Sequence, residues 1–117
     1  MDANIPSITT AQLQCALQSP LPPLVIDIRR GPAFAESSHI ITGALHRDPT
    51  QLPDWAASLP SGHRVVVYCV HGHQVSQGAA QALCARGIRA QYLEGGISHW
   101  VENGGRVTHK PAGLQSL

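Results

Sequence analysis

Charge and aromatic side chains are both scarce in this sequence. Only 13% of its 117 residues are charged and 4% are aromatic, and phenylalanine and methionine each occur once. A formal net charge of +1 leaves no basic excess to neutralise a phosphate backbone, so nucleic acid is not an expected partner. The 43% hydrophobic content argues equally against an acidic, disordered chain. No stretch approaches the roughly 18 consecutive apolar residues of a membrane helix, so no membrane association is expected. The opening "MDANIPSITT" has neither the basic cluster nor the apolar centre of a secretory signal, which makes the cytoplasm the expected compartment. Cysteine is sparse as well. Cys15, Cys69 and Cys84 are odd in number and lack a Cys-x-x-Cys spacing, so the thiols should be reduced, and one of them is a candidate for chemistry.

What is present fits one domain over residues 1–117, with a core over about residues 8–108 and a loosely held tail at residues 109–117. "VIDI" (Val25 to Ile28) and "VVVYC" (Val65 to Cys69) are short, β-branched and almost continuously apolar, as strands buried on both faces of a parallel sheet are. "AQYL" (Ala90 to Leu93) follows a helical segment at the distance of a strand, crossover helix, strand unit. That helix, "VSQGAAQALCARG", sets Val75, Ala79 and Leu83 on one row with Ala80 and Cys84 beside them, and Gly87 stands at its C-cap. Thr10 to Gln18 read as a short amphipathic helix with Thr9 or Thr10 as N-cap, and brief helices are predicted around "DWAAS" and "ISHWVENGG". The last dozen residues, "RVTHKPAGLQSL", lack periodicity. The class is α/β, a mostly parallel central sheet with helices on both faces.

The chemistry concentrates in "YCVHGHQVSQG", Tyr68 to Gly78. Cys69 ends a strand, where ligands bind in open α/β sheets, and the chain then enters a helix whose first N–H groups lack intrahelical acceptors. An anion or a thiolate placed there is stabilised by those donors and by the helix dipole. Gly72 lets the backbone curl around the sulfur without a side-chain clash. On residue types alone, three readings of Cys69 stand: a nucleophile, a metal ligand with His71 and His73, or a buried thiol packed as a small hydrophobe. A metal site needs a fourth partner and convergent side chains, whereas a loop wrapped around its own cysteine splays them outward, so no metal is expected.

Five segments, in order and spacing, resemble the rhodanese-like sulfurtransferase family. "CVHGHQVS" resembles its active-site loop, and "VIDIRRGPAF" its early Asp-x-Arg segment with a downstream Phe. "SHIITGALHRDP" is similar to its His-Ile-Pro-Gly-Ala segment, "LCARGI" to the end of the helix after the loop, and "YLEGGISHW" to its Leu-x-Gly-Gly-x-x-x-Trp signature. The resemblance implies a rhodanese-like fold and a ping-pong reaction with no cofactor. Cys69 would take sulfane sulfur from a small-molecule donor such as thiosulfate, hold it as a persulfide, and pass it to cyanide or a thiol, a protein thiol included. Val70, His71, Gly72, His73, Gln74 and Val75 would form the substrate-binding loop, whose N–H groups stabilise the persulfide anion. Asp27 and Arg29 are expected to satisfy loop donors or to pair and shape the pocket wall, with Gly95 at its mouth and Gly96 beside it. The alternative from another class is a noncatalytic rhodanese-like module that binds a partner or senses oxidants through Cys69.

Two departures stand out. The loop position that is often basic in active members of the family is Gln74, which offers hydrogen bonds but no Coulomb attraction to a dianionic donor. His71 and His73 are then the loop's own candidates for positive charge, so donor binding should strengthen as pH falls from 8 to 6. "HIITGA" is one residue longer than the family segment, and no role is carried over to His39. Phosphate chemistry on the same fold needs Cys-x5-Arg, and that position is Val75. Cys15 and Cys84 are expected in the core, Trp55 and Trp100 as packing residues, and His46, His63, His99 and His109 at the surface.

Overall fold

The computed structural model of the protein describes residues 5–60 and 62–110. In chain order its elements are β1 (Ser7–Ile8), α1 (Thr10–Leu17), β2 (Leu24–Asp27), α2 (Gly31–Glu36), β3 (His39–Ile41), β4 (Leu45–His46), α3 (Leu52–Ala56), β5 (Val65–Tyr68), α4 (Gln74–Ala85), β6 (Ala90–Leu93), α5 (Gly96–Glu102) and β7 (Val107–His109). Five strands form one sheet in the order β1-β6-β5-β2-β4, and every neighbouring pair is parallel. β3 and β7 make a separate antiparallel pair.

The central strand β5 explains why its sequence reads as an unbroken apolar run. Val66 and Tyr68 face Leu13, Phe34, Ile97 and Trp100, contributed by α1, α2 and α5. Val65 and Val67 face the other way, onto Leu52 and Trp55 of α3 and Ala79, Ala80 and Leu83 of α4. Both faces are covered, so side chains that alternate in direction are all apolar. The sheet with helices on both sides is the expected architecture. Among the described residues no helix is long and apolar enough to cross a membrane.

The helix ends follow their local chemistry. Thr9 caps α1 in a capping box, its Oγ1 accepting from Gln12 N–H at 3.1 Å while Gln12 Oε1 accepts from Thr9 N–H at 2.9 Å. Gly87 adopts φ +82° after α4, where its N–H reaches the Cys84 carbonyl.

Several expectations need correction. Residues 107–109, placed by the sequence in an aperiodic stretch, form β7, and Lys110 N–H continues the contact to the Ser38 carbonyl at 2.9 Å. The rest of the expected tail lies outside the described residues. Cys15 is exposed, because it stands two residues from the buried Leu13 and therefore about 200° around the helix from it. Cys84 is half-buried at the edge of the α4 packing face. His46 is not a free surface group either: it stacks on Phe34 with ring centroids 3.7 Å apart and bonds through Nε2 to the Arg29 carbonyl at 3.0 Å. His63 is half-buried and reaches the Pro22 carbonyl, whereas His99 and His109 are exposed. Trp55 and Trp100 are core residues with their indole N–H groups satisfied by the carbonyls of Asp48 and Arg106.

Candidate active site

β5 delivers Cys69 to the carboxyl end of the sheet, and α4 begins five residues later. The cysteine is 7% exposed, and its thiol donates to Ser76 Oγ at 3.1 Å. That bond closes a ring: residues 70–75 leave the strand, curl, and return the first turn of α4 to the sulfur. Ser76 Oγ is also 3.4 Å from the His73 carbonyl, so its hydroxyl can serve either oxygen or sulfur.

The backbone of this ring is divided by polarity. The carbonyls of Cys69 and Val70 accept from Ile97 and Ser98 N–H at 3.0 Å each, the Gly72 carbonyl accepts from the Gln77 side chain at 3.0 Å, and the His73 carbonyl accepts from Gln77 N–H. By contrast, the N–H groups of Val70 through Ser76 find no acceptor among the described residues. The last of these belong to the first turn of α4, where intrahelical acceptors do not exist. The ring therefore leaves a run of main-chain donors free beside the cysteine while the carbonyls of Cys69, Val70, Gly72 and His73 are engaged.

Glycine makes the close packing of this ring feasible. Gly72 has φ +74°, and a Cβ there would lie 2.7 Å from Gly95 N and 2.8 Å from the Leu93 carbonyl oxygen. Gly96, φ +62°, faces the ring from the other side, where a Cβ would lie 2.5 Å from the Cys69 carbonyl and 2.4 Å from that of Val70. The Gly95–Gly96 turn thus braces the loop, with Gly95 itself half-buried beside a small cleft of about 290 Å³ shared with Thr9, Thr10, Glu94 and His99.

Of the remaining loop side chains, His71, His73 and Gln74 are exposed on the rim, and the two imidazoles meet edge to face at 6.2 Å. Val70 is half-buried, and Val75 packs toward the α3 and α4 side of the core, so its contribution to the ring is its backbone. Among the described residues no three His, Cys, Asp or Glu side chains are grouped to hold a metal ion.

Asp27 and Arg29 form a buried pair, and Asp27 Oδ1 also accepts from the Arg29 backbone N–H at 2.9 Å, so both arrangements the sequence left open are present. Arg29 Nε donates to both carboxylate oxygens at 3.1 and 3.0 Å, and its Nη2 donates to Asp27 Oδ2 at 2.7 Å and to the His39 carbonyl at 2.8 Å. Tyr68 Oη donates to the same carboxylate at 2.9 Å and accepts from Ile41 N–H at 3.1 Å. Burial, reinforced by the neighbouring Asp27 charge, pushes the Tyr68 phenol far above its ordinary range. This knot ties together β2, β3 and β5, and it makes no hydrogen bond to residues 70–75. It lies beside the cysteine ring, on the paired ends of β2 and β5, with Tyr68 directly preceding Cys69.

Ser76 was not singled out by sequence reasoning. Its signal was available: a polar residue in the first turn of a helix, fully buried, at the position whose side chain can turn back to the strand end. Volume is a poor guide here, since a cleft of about 680 Å³ lined by Leu24, Val25, Trp100 and Arg106 opens at the start of β2, the opposite end of the sheet from Cys69.

Comparison with known proteins converges on the same segments. The rhodanese-like domain model matches residues 9–103. The chain is 38% identical over 78 residues to thiosulfate sulfurtransferase GlpE of Stutzerimonas stutzeri, covering 66% of this chain and 69% of that one. It is 32% identical over 88 residues to the Tolumonas auensis protein of the same name, covering 74% and 81%. Among solved structures, a rhodanese-related protein from Thermoplasma volcanium superposes with a TM-score of 0.78 at 26% identity, over 90% of this chain and 99% of that one. A rhodanese-like domain protein from Staphylococcus aureus gives a TM-score of 0.75 at 26% identity, over 91% and 99%. A cysteine ring at the carboxyl edge of a five-stranded parallel sheet, matched along nearly the whole described chain, makes this protein a member of the rhodanese-like domain family.

Proposed function

We propose that the protein is a sulfurtransferase that carries sulfane sulfur as a persulfide on Cys69. The observation that carries this reading is the seat of the sulfur: a buried thiol on Ser76, beside a loop whose N–H groups have no acceptor among the described residues. Having lost its proton to solvent, the Cys69 thiolate attacks the outer sulfur of a donor such as thiosulfate. The donor S–S bond breaks, its electron pair leaves on sulfite, and a persulfide anion stays on the enzyme. The unpaired ring N–H groups are the donors available to the charge that develops there, and the Ser76 hydroxyl can turn from the His73 carbonyl to donate to sulfur. Cyanide or a thiol then attacks the outer sulfur and departs as thiocyanate or a persulfide, returning the Cys69 thiolate. The curated relatives named thiosulfate sulfurtransferase support the donor class. A protein thiol is compatible as acceptor, and the chemistry written here needs no cofactor.

The test is an intact mass after incubation with thiosulfate. A gain of one sulfur atom, absent in Cys69→Ser and discharged by cyanide with release of thiocyanate, is the expected result. No gain with thiosulfate or with an organic thiosulfonate would leave the noncatalytic module as the better reading.

A further inference from the structure

Gln74 leaves the cysteine ring without a permanent positive charge, and an arginine from the segment after β2 lines a cleft that reaches the ring at Val75. Arg30 follows the buried Arg29 and stands at the N-cap of α2, its backbone held by Phe34 N–H donating to its carbonyl at 2.9 Å. Its side chain is exposed and forms no ion pair or hydrogen bond among the described residues. It lines a cleft of about 380 Å³ with Thr50, Leu52, Pro53 and the ring residue Val75, and the cleft continues along α4 to Arg86. No carboxylate lines that cleft. Across the ring, the cleft at Gly95 is lined by Glu94 and His99. The two clefts that flank the ring therefore differ in charge, the one reaching Val75 carrying arginines and the one at Gly95 a carboxylate.

The geometry points to Arg30 as a specificity-determining residue that draws an anionic sulfur donor to Cys69 from the β2 side. This rests on the persulfide reading above and names the charge that reading lacked. A guanidinium stays protonated at every working pH and attracts a sulfonate group by its charge, which a lysine ammonium at the same position would also supply. Arg30 acts on the oxyanion end of the donor, while the bond that breaks and the sulfur that moves belong to Cys69. The charge it meets is already present on the free donor, so its effect falls on KM more than on kcat. Arg86 serves as an internal comparison: it stands eleven residues beyond Val75 on α4, about 16 Å along the axis and beyond the roughly 8 Å screening length at physiological salt.

Steady-state kinetics with thiosulfate test this directly. Arg30→Gln should raise KM about fivefold and flatten the salt dependence of kcat/KM, with Arg30→Lys close to the parent and Arg86→Gln within about twofold of it. A monoanionic organic thiosulfonate should lose less than dianionic thiosulfate. Thiosulfate binding to Cys69→Ser, measured by calorimetry with and without Arg30→Gln, should weaken by the same factor without any turnover. Unchanged KM, affinity and salt dependence in Arg30→Gln, or equal losses in Arg30→Lys, would overturn the assignment of Arg30 while leaving the persulfide intact. A parent protein that takes up no sulfur would overturn both.

Discussion

Two polar clusters sit side by side at the carboxyl end of the sheet, on the paired ends of β2 and β5, where Asp27 is in register with Tyr68. In the first, Asp27, Arg29 and Tyr68 are 0%, 3% and 0% exposed and bind one another and nearby backbone groups. In the second, one residue further on, Cys69 is nearly as buried, yet the N–H groups of residues 70–76 are left without acceptors among the described residues. Saturation marks the first as architecture, since a buried polar group that lacks a partner costs free energy and this one lacks none. Unspent donors mark the second as a place built for a charge that comes and goes.

If the division is real, stability and sulfur loading should separate by cluster. The largest effect is expected from Asp27→Ala, which strands a buried guanidinium and should cost about 3–5 kcal/mol in urea denaturation. The protein that remains folded should load sulfur on Cys69 at a rate close to the parent. Tyr68→Phe should cost about 1–3 kcal/mol, because Ile41 N–H loses its acceptor and Asp27 a donor. It should also change the alkaline limb. The folded phenol is raised above its unfolded value near 10, so the stabilisation is full below about pH 10 and is lost as pH climbs further, at up to about 1.4 kcal/mol per pH unit. A parent whose stability is flat from pH 9 to 11, or a phenylalanine variant that falls as steeply, would contradict this. The smallest effect on stability belongs to Ser76→Ala, which should leave unfolding within about 1 kcal/mol of the parent but slow persulfide formation about tenfold in stopped-flow mixing with thiosulfate. A loss of stability without a loss of rate would assign Ser76 to the first cluster and blur the comparison.

The strands that carry these clusters were legible because β2 and β5 are buried on both faces and read as nearly continuous apolar runs, whereas β6, "AQYL", was legible from its distance to the preceding helix. The two- and three-residue strands β1, β3, β4 and β7 were not, since pairing over so short a length leaves no period to detect. α2 escaped for a related reason: "GPAFAE" has one fully buried residue, Phe34, and no side-chain cap. The position of Cys69 followed from strand, loop and helix in sequence. The Gly95–Gly96 turn that braces its loop comes from far along the chain and was expected there from the family resemblance, since sequence spacing by itself says nothing about which loops meet at one edge of a sheet. His46 shows the opposite error, a histidine read as surface because stacking on Phe34 leaves no trace in periodicity.

In the ring beside Cys69, the main-chain N–H groups of residues 70–76 are without acceptors among the described residues, and the carbonyls of Cys69, Val70, Gly72 and His73 are already engaged. Such a ring behaves as a partial positive charge that has no proton to lose and that side-chain replacement at positions 70, 71, 73 and 74 does not delete. On the persulfide reading, recognition and charge stabilisation would thereby be uncoupled: the rim could be rewritten for a different donor or acceptor while the backbone continued to supply donors near the sulfur.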